Sequence, residues 1–358
     1  MGTSASPAIN EAKLHEFVMN AVVEMGAAMN AALIIVGDKL GLYKAMAGAG
    51  PMTSAELAAR TKTTERYVRE WLSAQAAGGF VTYDSATGKF TLPNEQAMAL
   101  ADESSPVFLP GFFQMLGACF RDEEKISEAF RTGQGVGWHE HDPALFAGTE
   151  RFFRPNYRAH LMTEWIPALG DIESKLKQGG KVADVGCGLG TSTILLAQAF
   201  PKSTFTGFDY HPRSIELATA AAAKAGVGHR VKFEVAKAKD FPGQGYHLVA
   251  FFDCLHDMGD PEGAARHVLG TLDPGGAWMI VEPYANDKLE DNLNPIGRLF
   301  YGASTMLCTP ASLSQEVGLG LGAQAGEGRL SKILKSAGFT RVRRAAETPF
   351  NIVLEARP

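Results

Sequence analysis

The stretch Lys181-Val-Ala-Asp-Val-Gly-Cys-Gly-Leu-Gly-Thr191 constrains the fold of this chain more than any other. Lys181 to Val185 is a short, partly β-branched apolar run suited to a buried strand, and it ends in Gly186, Gly188 and Gly190. Ser192 to Ala199 then reads as a helix, with Ser192 or Thr193 available as its cap. A strand that turns through glycines into a helix lets the backbone approach a ligand closely, with free helix-end N–H groups beside it. A second strand, Ser203 to Phe208, ends in Asp209. An acid at that strand end, roughly 20 residues on, is positioned to bind a ribose diol.

Two kinds of nucleotide ligand use such geometry. A dinucleotide fingerprint, G-x-G-x-x-G, needs its third glycine at position 191, which is Thr191. The pattern is instead Asp-x-Gly-x-Gly-x-Gly, with Asp184 inside the strand end. A pyrophosphate does not call for a carboxylate there, whereas a ligand with an amino group and a sulfonium cation is favoured by one. The stretch resembles motif I of the class I S-adenosylmethionine (SAM) methyltransferases. The alternatives are a nicotinamide site, or a glycine turn that binds nothing.

A length of 358 residues allows two or three domains. The net charge of −5 weighs against a dominant role on nucleic acid or an anionic membrane. Cys119, Cys187, Cys254 and Cys308 are far apart and form no C-x-x-C, so neither a disulfide framework nor a metal site is expected. Met1 to Ala8 has no basic region followed by an apolar core, so no signal peptide is read, and no apolar run is expected to reach the length of a membrane span. The expectation is a soluble, cytoplasmic protein.

Along the chain, residues 1–10 are expected to be a disordered tail and 11–95 an N-terminal helix with a winged-helix dimerisation domain. Glu11 to Val36 has helical periodicity (Leu14, Phe17, Val18, Ala21, Val22, Met25, Met29, Leu33), and so long an apolar stripe points to a second subunit, a homodimer. From Asp38 the chain reads as a winged helix-turn-helix. Lys39 to Ala47 is one helix, and Thr53 with Glu56 opens a second as a capping box. Thr64 to Ala77 is the third, with Tyr67, Val68, Trp71 and Leu72 inward, and 80–83 and 89–92 form a hairpin. Glu65, Arg66, Arg69 and Glu70 on the third helix are mixed in sign, so a groove-reading role is not expected, nor a nucleic-acid partner. Residues 96–175 read as a helical connector and acceptor lid. They hold aromatic 107–116, a glycine-rich loop at 133–143 with His139 and His141 that faces solvent or substrate, and a helix at 150–169.

Residues 176–358 alternate strand and helix, the signature of a doubly wound, mostly parallel α/β sheet of seven strands. Strands are expected at 181–186, 203–209, 231–236, 247–253, 276–282, 339–346 and 350–356. Helices are expected near 192–199, 212–225, 261–271 and 329–337, with an insertion at 284–328. Ligands in such sheets sit at the carboxyl ends of the strands. The cofactor site expected there comprises Asp184, Gly186, Cys187, Gly188, Gly190, Asp209, Tyr210, Ala238 and Asp253. Lys237 cannot accept from an adenine amino group, which leaves the Ala238 backbone or Asp240 for that contact.

Just past the fourth strand stands Phe252-Asp-Cys-Leu-His256-Asp-Met-Gly-Asp260, and Glu282 ends the next strand. Histidine suits proton transfer near neutral pH, and an acid can hold its useful tautomer. With Leu272-Asp-Pro-Gly-Gly276 and Ile280-Val-Glu-Pro283, this segment resembles that of the plant-type O-methyltransferases. Their pattern is His-Asp-Trp-x-Asp, a Pro-x-Gly-Gly-like turn and a strand ending in Glu, behind an N-terminal winged-helix dimerisation domain. The chain is also similar to a bacterial branch of winged-helix SAM methyltransferases. The resemblance spans roughly residues 14–357 and implies SAM as cofactor, S-adenosylhomocysteine as product, His256 as base, Glu282 beside it and Asp209 on the ribose. Met258 departs from the pattern, standing where those enzymes usually have Trp. Phe113, Trp138, Tyr157 and Tyr301 are the candidate walls for a small, flat acceptor. Methylation of nitrogen, sulfur or carbon without a base, use of SAM without methylation, and a SAM-responsive DNA-binding regulator are the competing functions.

Overall fold

The computed structural model describes residues 9–358, and the chain forms two compact units, one ending at Gly117 and one of Ala118–Pro358. The first unit begins with α1 (Glu11–Lys39), α2 (Leu42–Met46), α3 (Ser54–Thr61) and α4 (Glu65–Ala77). The hairpin β1 (Thr82–Asp84) and β2 (Lys89–Thr91) and the helix α5 (Asn94–Leu100) follow, and α6 (Pro110–Arg121) runs through the division. The division therefore falls inside the segment expected to be a connector. Of the expected tail, residues 1–8 lie outside the described residues, and Asn10 is ordered as the cap of α1, its Oδ1 accepting from Lys13 N–H at 3.1 Å.

The first unit is built as the sequence pattern demands. Thr53 and Glu56 form the capping box of α3, with Thr53 N–H donating to Glu56 Oε2 at 2.7 Å and Glu56 N–H to Thr53 Oγ1 at 3.2 Å. On α4 the buried stripe is Val68, Trp71, Leu72 and Gln75. Tyr67 lies on its flank and is 80% exposed, so it does not point inward as expected. Gln75 is buried without cost because Tyr43 OH donates to its Oε1 and its Nε2 donates to Asn30 Oδ1, both at 2.6 Å. Trp71 Nε1 donates to Leu33 O at 2.9 Å and ties α4 to α1. Lys39 belongs to α1 rather than opening the next helix.

The expectation that no stretch reaches membrane-span length fails at α1. Its 29 residues include an 18-residue window of mean hydropathy 1.6, of which only 11% is buried. Glu24 is the only charge between Glu16 and Asp38, and Asn20 and Asn30 break the apolar run in sequence without breaking it in composition. By length and composition α1 is able to cross a membrane. Its exposed Leu14, Val18, Val22, Met25 and Met29 recur at helical spacing along one face.

The second unit opens with α7 (Glu123–Thr132), α8 (Ala144–His160) and α9 (Ile172–Gly179). The doubly wound part follows as β3 (Lys181–Val185), α10 (Thr191–Ala199), β4 (Thr204–Asp209), α11 (Pro212–Lys224), β5 (Val231–Val235), β6 (Tyr246–Phe252), α12 (Pro261–Thr271) and β7 (Leu272–Pro283). The insertion folds into α13 (Pro295–Ala303) and α14 (Thr309–Leu313), and α15 (Gly326–Ser336), β8 (Arg341–Glu347) and β9 (Asn351–Arg357) close the chain. The sheet order is β5-β4-β3-β6-β7-β9-β8, with β3 to β7 parallel and β9 antiparallel to both neighbours. This is the seven-stranded, mostly parallel sheet behind a winged helix-turn-helix that the sequence pattern predicts. β3 lies between β4 and β6, so the crevice for a ligand opens at its carboxyl end.

Alternate side chains of the strands enter two separate cores. Val182, Leu248, Ala250, Met279 and Val281 pack with α9 and α10 on one face, and Val185, Phe251, Ile280 and Leu354 pack with α12 and α15 on the other. Ser192 and Thr193 do not cap α10. Gly190 takes that position, and both hydroxyls instead donate to Asp184 Oδ2 at 2.6 Å.

Phe251 is fully buried, its ring centroid 4.8 Å from that of Trp278. Phe251→Ala is expected to lower the unfolding free energy by about 3–5 kcal/mol, the cost of an aromatic-sized cavity in a rigid core. Chemical denaturation of the intact chain measures it, and a loss below about 1 kcal/mol contradicts this packing.

Candidate functional site

A cavity of about 470 Å³ lies against the carboxyl ends of β3, β4, β5 and β6 in the second unit. Gly186, Cys187, Gly188, Asp209, Tyr210, Ala238 and Asp253 line it, so most of the predicted cofactor residues meet in one space. Trp138 and Tyr157, expected as acceptor walls, line it too.

The glycine turn is shaped by three left-handed residues, Gly186 (φ 74°), Gly188 (φ 51°) and Gly190 (φ 79°). They differ in what surrounds them. A Cβ on Gly186 would stand 2.7 Å from Cys254 Sγ, and one on Gly190 2.6 Å from the Phe233 ring, so both are pressed against protein. At Gly188 nothing lies within 4 Å, and the bare backbone faces the cavity.

Asp209 fixes the turn from the next strand. Its Oδ2 accepts Gly188 N–H and its Oδ1 accepts His211 N–H, each at 2.9 Å. Burial raises its carboxyl above the usual range, opposed by these two donors. Each oxygen retains acceptor capacity for a diol reaching in from the cavity. Asp184 behaves differently from its expected role. It is buried behind the turn and does not line the cavity. Its Oδ2 holds Ser192 and Thr193 while Oδ1 has no partner among the described residues, and burial pushes the carboxyl up to about 6 against those hydroxyl donors. Its position suits bracing the turn against α10. Glu150 on α8, which the sequence reading did not single out, does line the cavity, and its Oε1 accepts Thr191 Oγ1 at 2.8 Å.

Asp253 ends β6 in a left-handed conformation (φ 50°), which is costly for a residue other than glycine. Tyr157 OH donates to its Oδ2 at 2.9 Å and Asn351 Nδ2 to its Oδ1 at 2.7 Å. Burial, and next the charge of Glu282, push this carboxyl up to about 7. The aromatic wall comprises Trp138, Phe146, Phe153, Tyr157, Phe252 and Tyr210. Phe146 stacks on His211 at 4.8 Å and Phe153 on Tyr157 at 5.8 Å. Ser314, Gln315 and Glu316 of the insertion complete the rim. Gln315 accepts Gly259 N–H and donates to Asp257 O, which pins the insertion to the turn after β6.

His256 and Glu282 are paired as expected, but they do not line the cavity. His256 Nδ1 lies 2.5 Å from Glu282 Oε2, and Glu282 Oε1 accepts Leu255 N–H at 2.9 Å. On the other side of the ring, Nε2 lies 3.1 Å from Asp257 Oδ1. Burial alone would push this imidazole down, but the charges of Glu282 and Asp257 outweigh it and hold it well above its ordinary value. Asp257 does line the cavity, and its Oδ2 accepts Trp138 Nε1–H at 2.8 Å. Asp257 thus connects the His256–Glu282 pair to the open space.

Other predicted residues lie elsewhere. Phe113 packs with the core of the first unit. Tyr301 is half-buried on α13 and outside the cavity wall. His141 is buried, its Nδ1 3.0 Å from Asp122 Oδ2, while His139 lines the cavity with its ring 6.2 Å from that of Tyr210. The His-x-His pair therefore splits between a structural and a lining residue.

Residues 28–102 match the Rv2258c-like winged HTH domain family, and residues 176–338 match a methyltransferase domain family. The chain therefore carries a winged helix-turn-helix domain followed by a methyltransferase domain. The sterol 24-C-methyltransferase of Aspergillus fumigatus is 27% identical over 195 residues, 51% of this chain and 47% of that protein. The chain spans about half or less of the length of the first curated relatives it matches. Among solved structures, the mitomycin 7-O-methyltransferase MmcR is similar with a TM-score of 0.69 at 19% identity, over 98% of this chain and 100% of that one. Human N-acetylserotonin methyltransferase in complex with SAM is similar with a TM-score of 0.70 at 17% identity, over 100% of this chain and 99% of that one. At such identities the likeness is one of fold.

The middle and the end of the turn make a contrast. Gly190→Ala meets both left-handed strain and the Phe233 ring, and is expected to destabilise the fold by about 2–5 kcal/mol. Gly188→Ala meets the dihedral strain alone, about 1–2 kcal/mol. Denaturation of the two variants measures this, and equal losses contradict the close packing at Gly190.

Proposed function

We propose that this chain is a SAM-dependent methyltransferase that methylates a hydroxyl on a small, flat, aromatic acceptor. The observation that carries this reading is a single cavity in which the bare backbone of Gly188, the carboxylate of Asp209 and an aromatic wall meet, with the Glu282–His256–Asp257 row at its edge. SAM supplies an electrophilic methyl group on its sulfonium. The residues present fit such a cofactor. Asp209 accepts the ribose diol, the turn at Gly186–Gly188 takes the close backbone approach, and Tyr210 and Ala238 flank the base. Asp184 was expected to favour the amino group directly. Its bonds to Ser192 and Thr193 suit a bracing role, which leaves that amino group to the carboxyls that line the cavity, Glu150 (also paired with Arg154) and Asp253.

The acceptor side needs alignment and removal of one proton. Trp138, Phe153 and Tyr157 offer flat apolar surface for the ring. Asp257 faces the acceptor, and the proton leaves along the row from Asp257 to His256, with Glu282 holding the Nδ1–H and so the tautomer. Because Glu282 and Asp257 hold the imidazole well above its ordinary value, the row accepts that proton only where the ring is neutral, and turnover is expected to rise with pH. Loss of such a base costs about 10²–10⁴-fold in rate. His256→Ala is therefore expected to lower kcat on that scale with SAM affinity nearly unchanged. The test is a screen of phenols, catechols, amines and thiols for SAM-dependent turnover, followed by the variant on the best acceptor. A second reading, transfer to nitrogen, sulfur or carbon by alignment alone, draws support from His256 lying off the cavity wall. Wild-type turnover in His256→Ala would favour that reading and overturn the base.

The same proposal extends to the assembly. The exposed apolar face of α1 suits a homodimer formed through the first unit, since contiguous exposed apolar faces commonly mark an interface. A soluble, cytoplasmic protein is consistent with four free cysteines. A DNA-binding role is disfavoured because Arg66 and Arg69 on α4 are paired with Glu70 and Glu65. Light scattering at micromolar concentration is expected to give a dimer for the intact chain and a monomer for the double variant Val22→Glu, Met25→Glu. A monomeric wild-type chain contradicts the dimer.

A further inference from the structure

Behind the wall formed by Asp257 and Met258, three different ligand chemistries converge. A ring nitrogen of His256, an Asp257 carboxylate oxygen and Cys308 Sγ all lie within 4.8 Å of one another, and all three residues are buried. It is the one such cluster among the described residues. Cys308 arrives from the insertion, at the end of the π-helical segment Ser304–Cys308 between α13 and α14, far from the His256-Asp257 pair in the chain, so no spacing in the sequence marks the cluster.

We propose that His256, Asp257 and Cys308 form a binding site for a thiophilic divalent cation of the zinc type. His nitrogen, carboxylate oxygen and Cys sulfur are each zinc ligands, and three protein ligands leave one of four positions open. Two features of this cluster favour a cation over a plain ion pair. Nε2 is 3.1 Å from Asp257 Oδ1, yet that oxygen is buried with no hydrogen-bond partner among the described residues. An unpartnered carboxylate oxygen at 7% exposure is expensive to bury unless something positive meets it. The ring is also already oriented as metal-binding histidines are. Glu282 is placed to take the Nδ1–H, as outer carboxylates do around zinc, so a cation that displaces the Nε2 proton meets a nitrogen directed at the cluster. Zinc–ligand distances of about 2.0–2.3 Å require the three side chains to draw in by rotamer adjustments on the order of an ångström. Asp257 reaches the cavity and provides the entry path.

A cation held there occupies the Nε2 lone pair and one oxygen of Asp257, and so withdraws both from proton transfer. The cluster is then a reversible inhibitory site. That consequence, unlike the binding itself, rests on the proposed methyl transfer.

The test uses the full chain, stripped with chelator and titrated with cobalt(II) and zinc(II). Cobalt is expected to give a thiolate-to-metal band in the near ultraviolet together with the intense visible bands of four-coordination. Competition with a chromophoric chelator is expected to show zinc affinity falling by more than about 10–100-fold in Cys308→Ala, since even outer partners are worth that much. Cys308→Ser, closer in volume, serves if the alanine variant does not fold. Absence of the thiolate band in the wild type, or equal zinc affinity in the wild type and the folded Cys308 variant, overturns the site. In turnover assays zinc is expected to inhibit the wild type and spare Cys308→Ala. Zinc that binds through Cys308 without slowing turnover leaves the site standing and contradicts the base role of the His256 row.

Discussion

The structure of the site depends on one carboxylate. Asp209 holds the turn after β3 through Gly188 N–H and the start of α11 through His211 N–H, using a different oxygen for each. Hydrogen bonds to a charged group contribute about 1.5–3 kcal/mol each, enough to fix a loop whose glycines would otherwise be free. Because β3 and β4 are adjacent and parallel, this single residue joins the two strand ends that define the crevice. The carboxylate is thereby part of the scaffold and still open to a diol from the cavity side.

From that crevice the rest of the second unit is arranged by strand order. β6 lies on the other side of β3, so its terminal Asp253 and the following Asp257 reach the same space. β7 brings Glu282 beside His256, and the antiparallel β9 brings Asn351 to Asp253. The buried acids Asp184, Asp209 and Asp253 all have carboxyls raised by burial, and each is held by two donors that oppose the shift. A low-dielectric site that keeps several acids close to ionisation is suited to binding a cation-bearing ligand and to moving a proton.

Much of this was legible in the sequence, for a physical reason. Buried parallel strands are short apolar runs, and their carboxyl ends face the crevice, so the cavity-lining Gly186, Gly188, Asp209 and Asp253 could be placed from hydrophobic pattern alone. What periodicity could not show was direction. Asp184 lies on the strand beside the turn, but its side chain points behind it toward Ser192 and Thr193, whose small hydroxyls one helical turn on were read as caps. Tyr67 is aromatic at helical spacing but falls on the flank of its stripe, and Tyr301, expected as an acceptor wall, lies on α13 outside the cavity. Long-range pairings were equally hidden. Glu150 meets Thr191, Trp138 meets Asp257, and Cys308 meets His256 only because helices from distant segments pack over one strand edge. In α1 the composition was apolar enough to matter, but two asparagines and a glutamate disguised it as an ordinary amphipathic helix.

The central claim is that the crevice at Gly188 and Asp209 binds SAM, and calorimetric titration tests it most directly. The account predicts saturable binding of SAM and of S-adenosylhomocysteine to the wild-type chain, with no matching heat from a nicotinamide dinucleotide. In a folded Asp209→Asn variant, binding weakens by about 1–3 kcal/mol, the range for a lost charged hydrogen bond. Unchanged affinity in that variant, or preferential binding of the dinucleotide, contradicts it.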